Sequence, residues 1–225
     1  MTNKYIQLVS VCSLFFFTSC FDVIEETSIH KNGSGNTKLT INLSKSKSKV
    51  ASIMMLDSFY DISIPSESEI KNKLKNSVNK INTTSGLSNS KYTADFTNYI
   101  FTISFDFSHI DKVRKPIGEL VYDYNLKAKH KISAPVLYFN PSQKLFIREI
   151  DYSSEMNSLY SKLKDDDKKA LANANFVSIY RFDEAITSMS NNFAKLSPTK
   201  KALFLKVDAN SLLEGKKNLS NTIKF

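Results

Sequence analysis

The side chains that most often carry out chemistry are few in this sequence and far apart. Its histidines are His30, His109 and His130, and no two of them have the spacing of a zinc motif such as HExxH. No serine lies in the GxSxG pattern of a nucleophile elbow. The run Asp165–Asp167 lacks the alternating carboxylates and the glycine of a calcium loop. It is better explained as the start of a helix, where negative charge is favourable. The sequence therefore predicts no catalytic residue and no metal site.

The sequence begins with a segment that is typical of a signal peptide. Lys4 gives it a positive start, and the residues from Ile6 to Phe17 are mostly apolar. That run is shorter than the ~20 residues that a membrane-spanning helix needs, and it fits the apolar region of a secretory signal. We therefore predict that residues 1–19 are a cleaved signal peptide and that residues 20–225 form a single domain.

The cysteine that follows this segment suggests a specific modification. Phe17-Thr18-Ser19-Cys20 resembles a bacterial lipobox, which is an apolar residue, two small residues and a cysteine. In lipoproteins of this kind the signal peptidase cuts before the cysteine, whose thiol carries a lipid. The resemblance implies that the signal peptidase recognises Phe17, Thr18 and Ser19. It also implies that Cys20 is the lipidation site and that a covalent lipid on it is the only cofactor. The alternative is an ordinary secretory signal with a chance cysteine.

The lipobox interpretation also accounts for both cysteines of the chain. Cys12 would leave with the signal peptide, and Cys20 would be modified. The mature protein would then have no free thiol for catalysis, no disulfide and no thiolate metal site.

The chain is basic, and lysine supplies most of the positive charge. It has 31 Lys and Arg against 22 Asp and Glu, for a formal net charge of +9, and its arginines are Arg114, Arg148 and Arg181. Specific anion recognition usually uses the planar guanidinium group, so a lysine-rich surface is more typical of solvation. Nucleic acid is an unsuitable partner for an exported chain. A basic body tethered beside anionic lipid would be drawn toward it, and the candidate contacts are Lys71, Lys73, Lys75 and Lys80.

Three hairpins dominate the strand pattern. The first joins residues 21–29 to 37–43 through a turn at Lys31–Asn36, where Gly33 and Gly35 suit a tight turn between strands better than a dinucleotide site. The second joins Lys91–Phe96 to Tyr99–Phe107, whose alternating aromatic and aliphatic residues predict one buried face. The third joins residues 135–139 to 144–150. Further strands are predicted at 176–181, at 202–207 and, as an edge strand, at 222–225.

Helices are predicted between these hairpins. One lies around residues 50–56, and a second begins after Ser66, which forms a capping box with Glu69. Its apolar stripe consists of Ile70, Leu74, Val78 and Ile81. Others are predicted from Ser108 to about Tyr124, at 153–163 and at 165–174. This order predicts an α+β fold, an antiparallel β-sheet built from successive hairpins with helices packed on one face. Parallel crossovers are not required, because most strand connections are local.

The sequence resembles a group of bacterial envelope lipoproteins of the kind common in Bacteroidota. The resemblance lies in the lipobox at Phe17–Cys20, the immediate entry into a strand and the hairpin turn at Asn32–Gly35. The sequence is also distantly similar to the LppM-type lipoprotein domain, which begins with a similar glycine-rich hairpin and has an α+β fold. The resemblance covers residues 17–43. It implies an envelope location and a rough fold, and it assigns no catalytic residue.

Two classes of function follow from these observations. The first is a membrane-anchored envelope lipoprotein that acts as a non-catalytic binding or structural module, with an envelope protein or an anionic lipid surface as partner. Phe21, and not an acidic residue, follows Cys20. We therefore expect the protein to be anchored in the outer membrane with its body facing the periplasm. Display on the cell surface is the alternative. The second class is a periplasmic hydrolase whose site is built from dispersed Asp, Ser and Tyr residues. A deep pocket with converging polar groups of shifted pKa would favour the enzyme.

Overall fold

The computed structural model describes residues 21–59, 62–114, 116–117, 135–150, 157 and 160–225. Its secondary structure confirms the predicted α+β class. The strands are β1 (Asp22–Ile29), β2 (Gly35–Asn42), β3 (Ser58–Phe59), β4 (Ile62–Ser63), β5 (Leu87–Asp95), β6 (Ile100–Phe107), β7 (Val136–Asn140), β8 (Leu145–Glu149), β9 (Asn175–Phe182), β10 (Ser188–Met189), β11 (Lys195–Leu196), β12 (Ala202–Asp208) and β13 (Asn221–Lys224). The helices are α1 (Lys47–Ile53), α2 (Glu67–Asn82), α3 (Asp165–Leu171) and α4 (Ala209–Leu213). Ser44–Ser46 and Ile110–Val113 form 3₁₀ turns.

The strands form one large sheet and one smaller sheet. The large sheet has the order β11-β12-β9-β1-β2-β6-β5, and the smaller one has the order β10-β13-β8-β7. β3 and β4 make a separate two-stranded ribbon. The three predicted hairpins are confirmed as the antiparallel pairs β1–β2, β5–β6 and β7–β8. β9 and β12 also pair as antiparallel strands.

The centre of the large sheet departs from the predicted hairpin pattern. β1 pairs in parallel with β9, from Asp22 opposite Asn175 to Ile29 opposite Phe182. The expectation that no parallel crossover is needed is therefore wrong. The edge strand predicted at 222–225 corresponds to β13. It is not an edge strand, because it lies between β10 and β8 in the smaller sheet. Both differences arise from pairing between residues that are remote in sequence, which local patterning does not detect.

One face of the large sheet carries the core. Phe105 and Phe107 of β6, Tyr180 and Phe182 of β9 and Leu203 of β12 are buried there. At the β5–β6 edge this face is covered by α2, whose buried Leu74 and Ile81 belong to the same core. Over β1 and β9 it is covered by the smaller sheet, with Phe146 of β8 packed against Tyr180 at 4.9 Å between ring centroids. A second sheet thus does much of the covering that was expected of helices.

The predicted helix boundaries hold where local capping determines them. α2 has the predicted capping box, in which Ser66 accepts a hydrogen bond from the backbone of Glu69 and Glu69 accepts one from the backbone of Ser66. The predicted helix after Ser108 begins instead as the 3₁₀ turn after His109, and the backbone N–H of Ser108 donates to Gly86. Residues 118–124 and most of 153–163, both predicted to be helical, lie outside the described residues.

The two glycines of the first hairpin have different roles. Gly33 has a φ of +84°, the left-handed conformation that glycine adopts most readily. Gly35 lies within β2, and a Cβ atom there would come within 1.9 Å of the backbone oxygen of Ser28. Only Gly33 therefore supplies the predicted positive φ, and Gly35 is required for close approach of the two strands.

The large sheet has two ends that differ in what they carry. At one end Asp22, where β1 begins, is opposite Asn42 of β2 and Asn175 of β9. The β5–β6 turn and the end of β12 lie at the same end, which we call the entry pole. At the opposite pole Ile29 pairs with Gly35 and with Phe182. The described chain thus enters the fold at the entry pole.

Candidate functional site

The predicted modification site directly precedes the described residues. Phe17, Thr18, Ser19 and Cys20 lie outside them, and the description starts at Phe21. The backbone oxygen of Phe21 accepts a hydrogen bond of 2.9 Å from the N–H of Asn175. Because Phe21 is already held by β9, a group on Cys20 would be attached within one residue of the folded body.

Asp22 links the start of β1 to the segment that follows β2. Its carboxylate accepts a hydrogen bond of 2.8 Å from the side-chain amide of Asn175 and one of 3.0 Å from Nζ of Lys45. Partial burial would raise the pKa of Asp22, but the hydrogen bonds from Asn175 and Lys45 outweigh it and lower the pKa. The ionised carboxylate therefore holds the 3₁₀ turn, and with it the start of α1, at the entry pole.

The segment 44–56, which contains α1, is basic at its start and apolar at its end. Lys45, Lys47 and Lys49 are exposed, and the segment contains no acidic residue. None of the residues of α1 is buried. After the helix, the side chains of Met55 and Leu56 are 86% and 47% exposed. The predicted helix around residues 50–56 is thus confirmed in part, but the apolar residues that predicted it do not enter the core.

The predicted lysine cluster on α2 does not form one continuous patch. All four lysines are exposed, but successive residues advance by about 100° around a helix axis. Lys71 and Lys75 therefore lie on one side of the buried stripe, and Lys73 and Lys80 lie on the other. Lys71 also pairs with Glu67 at 3.9 Å and lies 5.0 Å from the centroid of the Phe96 ring. These four lysines are surface charges spread around and along the helix.

A second acidic group at the entry pole caps α4. The carboxylate of Asp208 accepts a hydrogen bond of 2.8 Å from the N–H of Ser211 and one of 3.1 Å from Nζ of Lys217. Partial burial would raise the pKa of Asp208, but these two donors outweigh it and lower the pKa from 3.8 to about 2. A lowered pKa stabilises the fold above the unfolded value and ceases to do so as the pH falls through the folded value.

We therefore expect Asp208→Asn to destabilise the protein in a pH-dependent way. Asparagine keeps an acceptor for the N–H of Ser211 but loses the charge that attracts Lys217. Because the Asp208 side chain is 33% exposed, screening limits the loss at pH 7 to about 1–2 kcal/mol. Urea unfolding curves of the two proteins should converge between pH 4 and pH 2. A difference that is constant across this range would show that the charge of Asp208 contributes nothing.

A buried ionic cluster joins the two sheets. Nη2 of Arg148 donates to Glu25 at 3.0 Å, Nε donates to the hydroxyl of Tyr180 at 2.8 Å, and Nη1 donates to the backbone oxygen of Leu219 at 3.1 Å. The Tyr180 hydroxyl donates to Glu25 at 2.7 Å. Burial, and then the Glu25 carboxylate, raise the pKa of Tyr180 well above its usual value, so the hydroxyl keeps its proton. The cluster is enclosed, with 5% of the Arg148 side chain exposed, and its role is to hold β8 against β1 and β9.

The two adjacent glutamates of β1 lie on opposite faces of the strand. Glu25 points into the core and is buried. Glu26, on the other face, pairs with Lys38 and Arg181. The alternation of a strand accounts for this difference, because Glu25 is in step with Thr27 and Ile29, which are also buried.

A shallow pocket lies at the opposite pole. It has a volume of about 110 Å³, and its apolar part is formed by Ile29, Phe139, Phe182 and Phe225. Charged side chains surround this apolar part and pair with one another. His30 pairs with Asp183 at 3.3 Å. Glu184 pairs with Lys31 at 3.2 Å and with Lys144 at 3.0 Å.

The two carboxylates beside this pocket are held in their ionised form. The N–H of Lys31, and then the His30 ring, lower the pKa of Asp183, and hydrogen bonds from Lys144 and Lys31 lower the pKa of Glu184. Groups with lowered pKa values are weak proton acceptors near neutral pH. Among the described residues, no serine, threonine, cysteine or tyrosine lines the pocket. The arrangement suits contact with an apolar group more than proton transfer.

The other histidine in the described part of the chain has a structural environment. The ring of His109 lies over Gly33, and its Nδ1 is 2.9 Å from Asp111. Within the described residues, no three histidine, cysteine or acidic side chains come close enough together to hold a metal ion. None of the helices in these same ranges is long and apolar enough to cross a bilayer.

Comparison with solved structures includes a distant structural likeness. No protein-family profile and no curated protein matches the chain. The structure has a TM-score of 0.41 and 11% sequence identity to the NMR structure of the folded domain of LppM from Mycobacterium tuberculosis, over 93% of this chain and 90% of that one. This is the domain type to which the sequence was expected to be distantly similar. A likeness of this size carries no argument about function.

Proposed function

We propose that this protein is a lipid-anchored envelope protein whose folded body is a non-catalytic binding or structural module. The observation that carries the proposal is the sequence Phe17-Thr18-Ser19-Cys20 at the end of a short apolar segment. β1 begins at Asp22, two residues after the cysteine. A cut before Cys20 would therefore leave the folded body intact with its lipid at the entry pole.

The energetics of anchoring support a cysteine with more than one acyl chain. Each buried methylene contributes ~0.8 kcal/mol, and a single chain gives only reversible binding, whereas two chains anchor a protein stably.

We propose that the protein is anchored in the outer membrane with its body in the periplasm. The acidic residue that often retains such proteins in the inner membrane is replaced here by Phe21. Surface display is the alternative location.

Two features favour a binding or structural role over hydrolysis. The polar groups around the shallow pocket neutralise one another in the pairs His30–Asp183 and Lys31–Glu184. The tyrosine with the strongly raised pKa, Tyr180, is enclosed between the sheets with Glu25 and Arg148. A dispersed Asp, Ser and Tyr site would need such groups to converge on an accessible pocket.

Metabolic labelling with palmitate tests the anchor. In the host envelope, wild-type protein and Cys12→Ala should incorporate label and sediment with membranes, whereas Cys20→Ala should do neither. Cys12→Ala is the matched control, because it removes the other cysteine of the chain. Equal labelling of Cys20→Ala and the wild type would refute the proposal.

A further inference from the structure

We propose that the segment 44–56 lies against the surface of the anionic lipid bilayer to which the protein is anchored. This inference rests on the proposed function and assigns an orientation to the body. Three features of the segment support it: the exposed apolar residues Met55 and Leu56, positive charge and a start that lies beside the proposed anchor.

The apolar residues at the end of this segment are exposed, and those of its helix are not part of the core. An amphipathic helix normally buries its apolar face against its own protein. In α1, Val50 and Ile53 remain partly exposed and no side chain is buried. Met55 is the most exposed of the large hydrophobic side chains in the described part of the chain, at 86%, and Leu56 follows it at 47%. An exposed apolar cluster of this kind is typical of a surface that meets another phase or molecule.

The charge of the segment matches an anionic membrane. Lys45, Lys47 and Lys49 alternate with serines ahead of the apolar part, and no acidic residue occurs between residues 44 and 56. Lys45 is paired with Asp22, so Lys47 and Lys49 are the lysines best placed to meet lipid. Basic side chains beside apolar ones characterise helices that lie in the interface of anionic bilayers.

The anchor would bring this segment to the membrane. Consecutive Cα atoms are ~3.8 Å apart, and Phe21 is fixed to β9 through Asn175. A lipid on Cys20 therefore fixes the entry pole close to the head groups. Asp22 in turn holds Lys45 at 3.0 Å, which places the start of the segment at this same pole. A short tether of this kind leaves little freedom for another face to turn toward the bilayer.

Other features at the entry pole are compatible with this orientation. The carboxylate of Asp95 accepts hydrogen bonds from the backbone and side chain of Asn98, and that of Asp208 accepts them from Ser211 and Lys217.

A second copy of the chain is a poorer partner for segment 44–56 than anionic lipid. It would bring the lysines of two such segments together in a protein of net charge +9. The α2 lysines point to both sides of that helix and provide a control.

A single tryptophan can report on this contact, because the natural sequence contains none. Met55→Trp places an indole at the most exposed apolar position of the segment. Tyr138→Trp places one at a 42% exposed position on β7, whose next residue, Phe139, lines the pocket at the opposite pole. Both full-length variants would be purified in lipidated form and reconstituted into vesicles of phosphatidylethanolamine and phosphatidylglycerol with brominated acyl chains.

We expect bromine to quench the indole of Met55→Trp at least twofold more than that of Tyr138→Trp. Adding Lys47→Gln and Lys49→Gln to Met55→Trp should reduce the quenching by at least half, as should replacing phosphatidylglycerol by phosphatidylcholine. Adding Lys73→Gln and Lys80→Gln instead should leave it unchanged. Equal quenching at the two positions, or none at Met55→Trp, would overturn the proposal.

The two proposals fail in different ways. Lipidated protein that is bound to vesicles but shows no quenching of Met55→Trp would refute the contact of segment 44–56 and leave the anchor in place. Membrane association that does not depend on Cys20 would refute the anchor. Circular dichroism of each variant, with the spectrum of the wild type as reference, confirms that the readout comes from folded protein.

Discussion

Replacing Arg148 with methionine should lower the free energy of unfolding by about 3–5 kcal/mol. Arg148 is buried, and its guanidinium donates to Glu25, Tyr180 and the backbone of Leu219. Methionine fills part of the volume but leaves the Glu25 carboxylate in a largely dry site, where the Tyr180 hydroxyl still donates a hydrogen bond to it. A buried charge that loses its partner keeps its desolvation penalty and loses the attraction that offset it.

A second variant separates the cost of the orphaned charge from the value of the ion pair. Glu25→Leu together with Arg148→Met removes both charges and should recover more than half of the stability lost in Arg148→Met, because apolar pairs often replace buried ion pairs at little cost. Urea unfolding followed by circular dichroism measures the free energies of the wild type, Arg148→Met, Glu25→Leu and the double variant. If the double variant is as unstable as the sum of the two single variants, the two residues do not act as a pair.

The exposed ion pairs provide a control for this experiment. Lys31 and Glu184 are 3.2 Å apart, with 68% of the Lys31 side chain exposed. Lys31→Met should change stability by less than about 1 kcal/mol, because solvent screens such pairs. A loss as large as that of Arg148→Met would mean that removal of a positive charge, and not its burial, determines the effect.

The elements that could be predicted from the sequence are those that local interactions specify. The β1–β2 hairpin follows from Asn32-Gly33, whose glycine has the expected positive φ. The β5–β6 hairpin follows from the alternation between residues 99 and 107, of which Ile103, Phe105 and Phe107 are buried. The start of α2 follows from the capping box of Ser66 and Glu69. Each of these signals spans a few residues and can be recognised without knowing which distant segment the element packs against.

The pairing at the centre of the fold could not be predicted in the same way. Asp22 meets Asn175 across 153 positions of sequence, and neither strand carries a local mark of its partner. The polar residues Glu25 and Ser178 are opposite each other in β1 and β9 and are both buried. The carboxylate of Glu25 is compensated there by Arg148, which belongs to the smaller sheet. Long-range polar contacts of this kind become visible only in the assembled structure.

The candidate site was predictable only as far as its chemistry is local. Cys20 and the three residues before it form a contiguous motif, so the sequence alone suggests the anchor. The basic and apolar residues of segment 44–56 were also visible, but their periodicity suggested a helix facing the core. What the sequence lacked was the exposure of Met55 and the hydrogen bond from Lys45 to Asp22, which place the segment beside the anchor.

Phe146→Ala should destabilise the protein by about 3–5 kcal/mol, because it removes a fully buried aromatic side chain that packs between the two sheets. The Phe146 side chain is completely buried. Its ring centroid lies 4.9 Å from that of Tyr180 and 5.5 Å from that of Phe182. Alanine would leave a cavity between β8 and β9 that the rigid sheets can close only in part.

The same substitution at an exposed phenylalanine gives the matched control. Phe204 of β12 is 41% exposed on the face of the large sheet opposite to the core, so Phe204→Ala should cost less than about 1 kcal/mol. Urea unfolding measures both losses. Similar values for the two variants would mean that the smaller sheet does not pack tightly on the larger one. A large loss at Phe146 alone would show that the two-sheet interface holds the folded body together.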